Sequence, residues 1–303
     1  MKKPADLGKS VHARLLNLAR ERREEFQITL RSYFFERFLY RLSHSQLRDQ
    51  FVLKGAMVFR LWADQPYRAT MDLDFLSRGD SAPASVKKDI AAICATKVPE
   101  DGVLFDTTGI TAEAIRAEEE YSGIRTTFIG KLSTIREPLQ IDIGFGDAVW
   151  PKPRQVQYPG LLDLPAPKIA AYQPETVIAE KLEAIVILAI RNSRIKDYFD
   201  IHYLATHEPF EGVKLAEAIR RTFERRKTPI PEDLPVGLED AYWREPERSA
   251  HVRAFARRAR INADVASARA LGKQVREFLW PVLDAIGKGE KFEKRWQPDG
   301  PWK

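Results

Sequence analysis

The sequence predicts an α+β protein: a mixed-sheet domain over residues 1–160, then a helical domain over residues 161–303. Three observations carry that expectation. Segments alternating polar and apolar residues, as half-buried strands do, fall between residues 51 and 145. A stretch holding Pro151, Pro153, Pro159, Pro165, Pro167 and Pro174 suits a connector, because proline neither donates to a strand ladder nor continues a helix. Beyond Pro174 the apolar residues recur at helical spacing.

In chain order, residues 8–50 read as helices, with Leu15, Leu16 and Leu18, then Phe34, Phe35, Phe38 and Leu39 near a 3.6 period. Residues 51–62 begin as a strand, turn at Gly55 and continue as a helix. Met71-Asp-Leu-Asp-Phe-Leu76 alternates as a strand should, and a helix is expected over 81–97. Strands near 124–132 and 138–145 pair across the loop between them. The connector has room for a short strand. From Pro174 a helix carries Val177, Ile178, Leu182, Ile185, Val186 and Leu188, and Ser193 is a candidate cap for the next one, which bears Lys196 to Asp200. The remainder reads as helical, broken by a proline-bearing loop at 228–237.

Composition bounds the function. Hydrophobic residues at 44% and charged residues at 30% describe an ordinary globular chain. No apolar run approaches the roughly 20 residues that span a bilayer. The basic N-terminal stretch lacks the apolar core of a secretory signal, so the expected location is the cytoplasm, with no membrane partner expected. The lone Cys94 excludes an intramolecular disulfide and a cysteine-based metal site. The net charge of +6 falls after residue 213, where Arg220, Arg221, Arg225, Arg226 and Lys227, then Arg253, Arg257, Arg258 and Arg260, recur at helical spacing. Such stripes either follow a phosphate backbone or coat a solvated helix face.

The chemistry concentrates at Asp72-Leu73-Asp74. On a strand, residues two apart share a face, so both carboxylates project together while Leu73 and Phe75 point into the core. Close like charges repel, and a shared divalent cation relieves them; magnesium takes oxygen ligands and bridges carboxylates to phosphates. Asp142, in the alternating Gln140-Ile-Asp-Ile-Gly144, completes a three-carboxylate cluster if its strand lies beside the first. Alone, an Asp-x-Asp pair is also what any exposed strand can carry. Upstream, Lys54-Gly55-Ala56 marks a strand-to-helix turn whose N–H groups can cradle phosphate, or simply a tight turn needing glycine. Arg68 and Thr70 share the face of Asp72 if the strand extends back to them. Lys181 on the long helix can reach phosphate as a point charge, and Asp197 can hold it in place or bind a base or sugar. Lys196 and Asp200 also fit a surface i, i+4 pair.

Taken in order, Leu53-Lys-Gly-Ala56, Arg60, Arg68-Ala-Thr-Met-Asp-Leu-Asp74, Ile141-Asp-Ile143, Glu180-Lys181 and Lys196-Asp-Tyr-Phe-Asp200 resemble the AbiEii/AbiGii nucleotidyltransferase-like toxin family, which includes the MenT-type toxins. The resemblance spans roughly residues 35–210. It implies a polymerase-β-like nucleotidyltransferase domain and a C-terminal helical domain that completes a cleft. It makes Asp72 and Asp74 the metal-binding acidic pair; Asp142, read from its strand, stands as a third candidate ligand or a base. Asp72, Asp74, Lys181 and Asp197 become the catalytic set, and Lys54, Gly55, Arg68, Thr70 and Lys181 the nucleotide-binding set. Ala56 stands where many relatives carry Gly or Ser, which preserves close backbone approach but removes a hydroxyl. The implied activity is that of a toxin of a toxin–antitoxin system, moving NMP from an NTP to the 3′ end of tRNA with Mg²⁺ or Mn²⁺, and partnered by a cognate antitoxin. The alternatives are transfer to a protein or small molecule, or a non-catalytic RNA- or partner-binding module.

Overall fold

The computed structural model describes residues 4–63, 70–115, 123–191, 194–259 and 267–303. The chain divides into two compact units, Met1–Gly146 with Arg154–Ala171, and Asp147–Pro153 with Tyr172–Lys303.

The first unit contains α1 (Pro4–Glu21), α2 (Phe26–His44), β1 (Phe51–Lys54), a 3-10 helix (Gly55–Leu61), β2 (Asp72–Ser77) and α3 (Pro83–Cys94). The strands β3 (Val103–Ile115), β4 (Gly123–Leu132), β5 (Ile135–Phe145), β6 (Arg154–Gln157) and β7 (Lys168–Ala171) follow. The seven strands form one mixed sheet in the order β3-β4-β5-β2-β1-β7-β6. β2 runs antiparallel to β1 and parallel to β5, so the Asp72 and Asp142 strands are neighbours.

One side of this sheet is fixed by packing. Phe34, Phe35, Phe38 and Leu39 of α2 are buried, and the Phe38 ring meets Phe75, Phe105 and Phe128 at centroid distances of 6.3, 6.0 and 5.8 Å. Leu73, Ile141 and Ile143 are buried on that side too. Because side chains alternate along a strand, burying Leu73 and Phe75 sends Asp72 and Asp74 to the opposite face. The hydrophobic pattern therefore aims the acids.

α2 also buries charge, which the apolar period does not announce. Arg41 grips the Asp101 carboxylate at 2.7 and 3.1 Å, and Glu36 accepts from Arg37 at 2.5 Å and from the Leu161 N–H at 2.7 Å. Burial pushes the Glu36 carboxyl up, opposed mainly by Arg37. Cys94 is buried in the same unit, and burial lifts its thiol to about 12, which leaves it an inert packing group.

Several elements differ from expectation. The turn at Gly55 leads into a 3-10 helix, and β2 begins at Asp72 instead of reaching back to Thr70. β3 has no strand signature because its alternation is broken: its register shifts between Asp106 and Thr111, and Leu104 is 71% exposed. A bulged edge strand need not show a clean period. The proline-rich segment holds the antiparallel pair β6 and β7, the latter also beside β1.

The second unit contains α4 (Pro174–Leu188), a 3-10 turn (Ala189–Arg191), α5 (Ile195–His207), β8 (Phe210–Glu211) and α6 (Gly212–Arg225). A second 3-10 turn (Val236–Leu238), α7 (Asp240–Arg244), α8 (Pro246–Ala259), α9 (Ala268–Gly287) and β9 (Arg295–Trp296) complete it. α4 packs on α6, and α9 packs on α5, α6 and α7. The core includes the edge-on pair Tyr198–Trp243, at 4.7 Å, and Phe278, on which Trp302 stacks at 5.7 Å. Arg194 occupies the position before α5; Ser193, expected as its cap, lies outside the described residues.

Candidate active site

The acidic site is built by strand register. Asp74 stands opposite Asp142 across β2 and β5, Asp142 opposite Arg125 across β5 and β4, and Asp74 opposite Lys54 across β2 and β1. Residues directly opposite in a sheet share a face. One row across four strands therefore reads Arg125, Asp142, Asp74, Lys54. The next row places Thr127, Gln140 and Asp72 in line. Asp72, Asp74 and Asp142 are each half-buried, and each offers an oxygen within 4.8 Å of the others.

The surroundings position these carboxylates. The Thr70 hydroxyl donates to Asp72 Oδ1 at 2.7 Å and to the Asp72 carbonyl at 3.1 Å, so Thr70 meets the acidic pair from outside the strand. Arg125 donates through Nε to Asp142 Oδ1 at 2.9 Å and through Nη2 to Oδ2 at 2.7 Å, and Gln140 adds a bond of 3.2 Å to Oδ1. The guanidinium of Arg125 is held above its ordinary range, first by its bond to Asp142 and then, against some desolvation, by the charges of Asp142, Asp72 and Asp74. Gly55 has φ +69, and a Cβ there would collide with the Asp74 carboxylate. Glycine is required at this turn on both counts: left-handed backbone and a carboxylate lying against its Cα.

In the second unit, Lys181 of α4 donates to Asp197 Oδ1 at 2.7 Å and pairs with Asp200 Oδ2 at 2.7 Å, both aspartates being fully buried. Arg194 reaches Asp197 Oδ2 at 2.6 Å. Burial alone would raise the Asp197 carboxyl, but Lys181 and then Arg194 outweigh it and hold it below its usual value. The expected i, i+4 pair of Lys196 with Asp200 gives way to the contact from Lys181, since Asp200 faces inward and Lys196 is exposed.

The basic stripe after residue 213 is not uniform. Arg226 is held by Glu183 at 2.7 Å, Asp147 at 3.2 Å and Glu180 at 3.8 Å. Burial would lower the Arg226 guanidinium, yet Glu180, Asp147 and Glu183 together raise it. Arg220 and Arg221 pair with Glu217, and Arg221 also lies over the Trp150 ring at 4.3 Å. Arg253, Arg257 and Arg258 of α8 are exposed and make no ion pair among the described residues.

The structure thus gathers Asp72, Asp74, Asp142, Thr70, Gly55 and Lys54 in the first unit, and Lys181 with Asp197 in the second. Arg68 and Arg260 lie outside the described residues. Arg125 was not anticipated. Its signal was present in Ile124-Arg-Thr-Thr-Phe128, where the same alternation puts Arg125 and Thr127 on the polar face.

Comparison with known proteins places the chain. Two solved structures from Helicobacter pylori are similar to it: one described as a candidate nucleotidyltransferase, 13% identical with a TM-score of 0.49, over 85% of this chain and 98% of that one. The other, JHP933, is 15% identical with a TM-score of 0.47, over 85% and 97%. No curated protein matches. Residues 37–274 match the family described as nucleotidyl transferase AbiEii toxin of type IV toxin–antitoxin systems. That match takes in the acidic rows of the sheet, Lys181 and its aspartates, and most of the helical unit, and the chain belongs to the AbiEii nucleotidyltransferase toxin family.

Proposed function

We propose that the protein is a divalent-metal-dependent toxin that transfers NMP from an NTP to the 3′ end of tRNA. The observation that carries this reading is the carboxylate cluster, Asp72, Asp74 and Asp142, with oxygens within 4.8 Å on neighbouring strands. An all-oxygen donor set of this kind fits Mg²⁺ or Mn²⁺. Asp72 and Asp74 would hold the cation, with Asp142 the third candidate ligand. A cation there would neutralise phosphate charge and polarise the reacting phosphoryl group.

The chain's own residues supply position and charge. Thr70 orients Asp72, and Gly55 lets the backbone lie against Asp74. Lys54 and Arg125 flank the acids in the same row and offer positive charge toward a triphosphate. Lys181 takes the nucleotide-contacting role implied by the family resemblance, with Asp197 holding its ammonium in place. In the transfer the RNA 3′ oxygen bonds to the α-phosphorus, the α–β anhydride bond breaks and pyrophosphate leaves. The hydroxyl proton passes to Asp142, the candidate base, or to water. Such reactions are driven mainly by positioning and charge stabilisation.

An RNA acceptor is supported by the basic excess after residue 213 and by the exposed arginines of α8. Membership of a toxin family supports a cognate antitoxin partner. No helix among the described residues is long and apolar enough to cross a membrane.

The acceptor is tested by incubating the protein with Mg²⁺, each α-labelled NTP in turn, and total tRNA, either intact or periodate-oxidised at its 3′ terminus. Label on intact tRNA alone is expected. Label on oxidised tRNA excludes the 3′ end, and label on protein instead of RNA redirects the acceptor to a side chain.

A further inference from the structure

Arg125 grips both oxygens of Asp142, at 2.9 and 2.7 Å, while Asp142 stands opposite Asp74 and within reach of a shared ligand with Asp72 and Asp74. A two-pronged guanidinium is the strongest side-chain grip on a carboxylate and uses the oxygens a metal would use. The two claims on Asp142 conflict. They compete electrostatically, because a cation bound at all three carboxylates would face the guanidinium charge already resting on the third.

We propose that Arg125 is a positioning residue that acts as an internal counter-cation, withholding Asp142 from the metal until nucleotide phosphate draws the guanidinium away. The inference rests on the metal-dependent reading above. Three observations support it. Arg125 and Asp142 are opposed in register, so the grip is built into the sheet and not a chance meeting of surface chains. Asp142 is the less exposed partner, its side chain at 15% against 47% for Arg125, so the arginine can swing outward while the carboxylate stays on its strand. Gln140, opposite Asp72, donates to Asp142 Oδ1 and keeps the carboxylate oriented when Arg125 departs. In this arrangement the protein alone holds its cation with two carboxylates and recruits the third only with substrate. Arg125 then adds its charge to the triphosphate, where charge accumulates as pyrophosphate leaves.

The test is Mn²⁺ affinity of the full chain without nucleotide, read from the electron paramagnetic resonance signal of free Mn²⁺. Arg125→Ala should bind Mn²⁺ about tenfold more tightly than wild type, because a neighbouring positive charge is gone and Asp142 is released. In the double variant Arg125→Ala/Asp142→Asn that gain should vanish. Adding a non-hydrolysable NTP should narrow the difference between wild type and Arg125→Ala. Arg125→Gln replaces alanine if the alanine variant fails to fold. Unchanged or weaker Mn²⁺ binding in the Arg125 variants, or a gain that survives Asp142→Asn, overturns the proposal while leaving the metal site standing. Wild-type binding that is indifferent to Asp72→Ala overturns both.

Discussion

Two clusters of aspartate in this chain meet opposite fates. In the sheet unit, Asp72, Asp74 and Asp142 are half-buried, their oxygens crowd within 4.8 Å, and Arg125 grips only Asp142 among them. In the helical unit, Asp197 and Asp200 are fully buried and held between Lys181 and Arg194 at 2.6 to 2.7 Å. The first leaves solvent-reachable negative charge in one place; the second buries the two aspartates and pairs them with Lys181 and the half-exposed Arg194. Open, crowded carboxylates cost stability and are retained where a cation is to bind, whereas sealed pairs fix a geometry. The contrast separates residues expected to govern activity from residues expected to govern both activity and folding.

The largest effect should come from the open cluster. Asp72→Ala or Asp74→Ala should lower nucleotide transfer by at least about 10³-fold, since each removes a metal-holding oxygen pair. For Asp72→Ala thermal unfolding should barely shift, because relief of like-charge crowding offsets the lost bond from Thr70. A large drop in unfolding temperature would erase the contrast. Gly55→Ala comes next: the left-handed backbone and the clash with Asp74 should cost roughly 1–3 kcal/mol and about 10²-fold in rate through displacement of that carboxylate.

The sealed cluster should behave differently. Lys181→Ala removes the ammonium shared by the buried Asp197 and Asp200, leaves Arg194 on Asp197, and should destabilise the protein by about 3 kcal/mol in urea unfolding, besides lowering transfer. Its pH dependence has a definite sign. The folded Asp197 carboxyl lies below the ordinary value of 3.8, so the stability it contributes is full above that value and is lost as pH falls through its lowered folded value. Asp197→Asn should lower stability at neutral pH and flatten the acid limb of a stability–pH profile. An unchanged acid limb would remove Asp197 from that account.

The legible parts of the sequence are those with strict period. Asp72 to Phe75 and Leu139 to Ile143 alternate, which gave the face of each aspartate; that β2 and β5 are neighbours, the condition for Asp142 to join the pair, lay outside the pattern. Gly55 was legible because a glycine at the end of an apolar strand signals a turn; that the Asp74 carboxylate lies against it was not, since the contact crosses strands. The bulged edge strand β3 was hidden by irregular alternation, and of the pair β6 and β7 the proline-rich connector announced room for only one short strand. The basic run at 220–227 looked like one stripe, yet it mixes Arg226, half-buried among acids from distant sequence, with exposed neighbours. Sequence spacing gives the face of a helix but not the partner that meets it.

The smallest effect concerns α8. Replacing Arg253, Arg257 and Arg258 together by glutamine should leave folding unchanged and weaken tRNA binding about uniformly across sequences, with the salt slope falling by up to about one for each arginine that meets phosphate. An unaltered slope would make this face a solvated surface.

The central claim is that the open aspartates, through a divalent cation, perform nucleotide transfer. The direct measurement is transfer of α-label from NTP to tRNA as a function of Mg²⁺ concentration, for wild type and Asp72→Ala at matched folded fraction. The account predicts saturable activation by Mg²⁺ in the wild type, abolished by chelation and absent from Asp72→Ala. Transfer that persists in chelator, or in the folded Asp72→Ala protein, would contradict it.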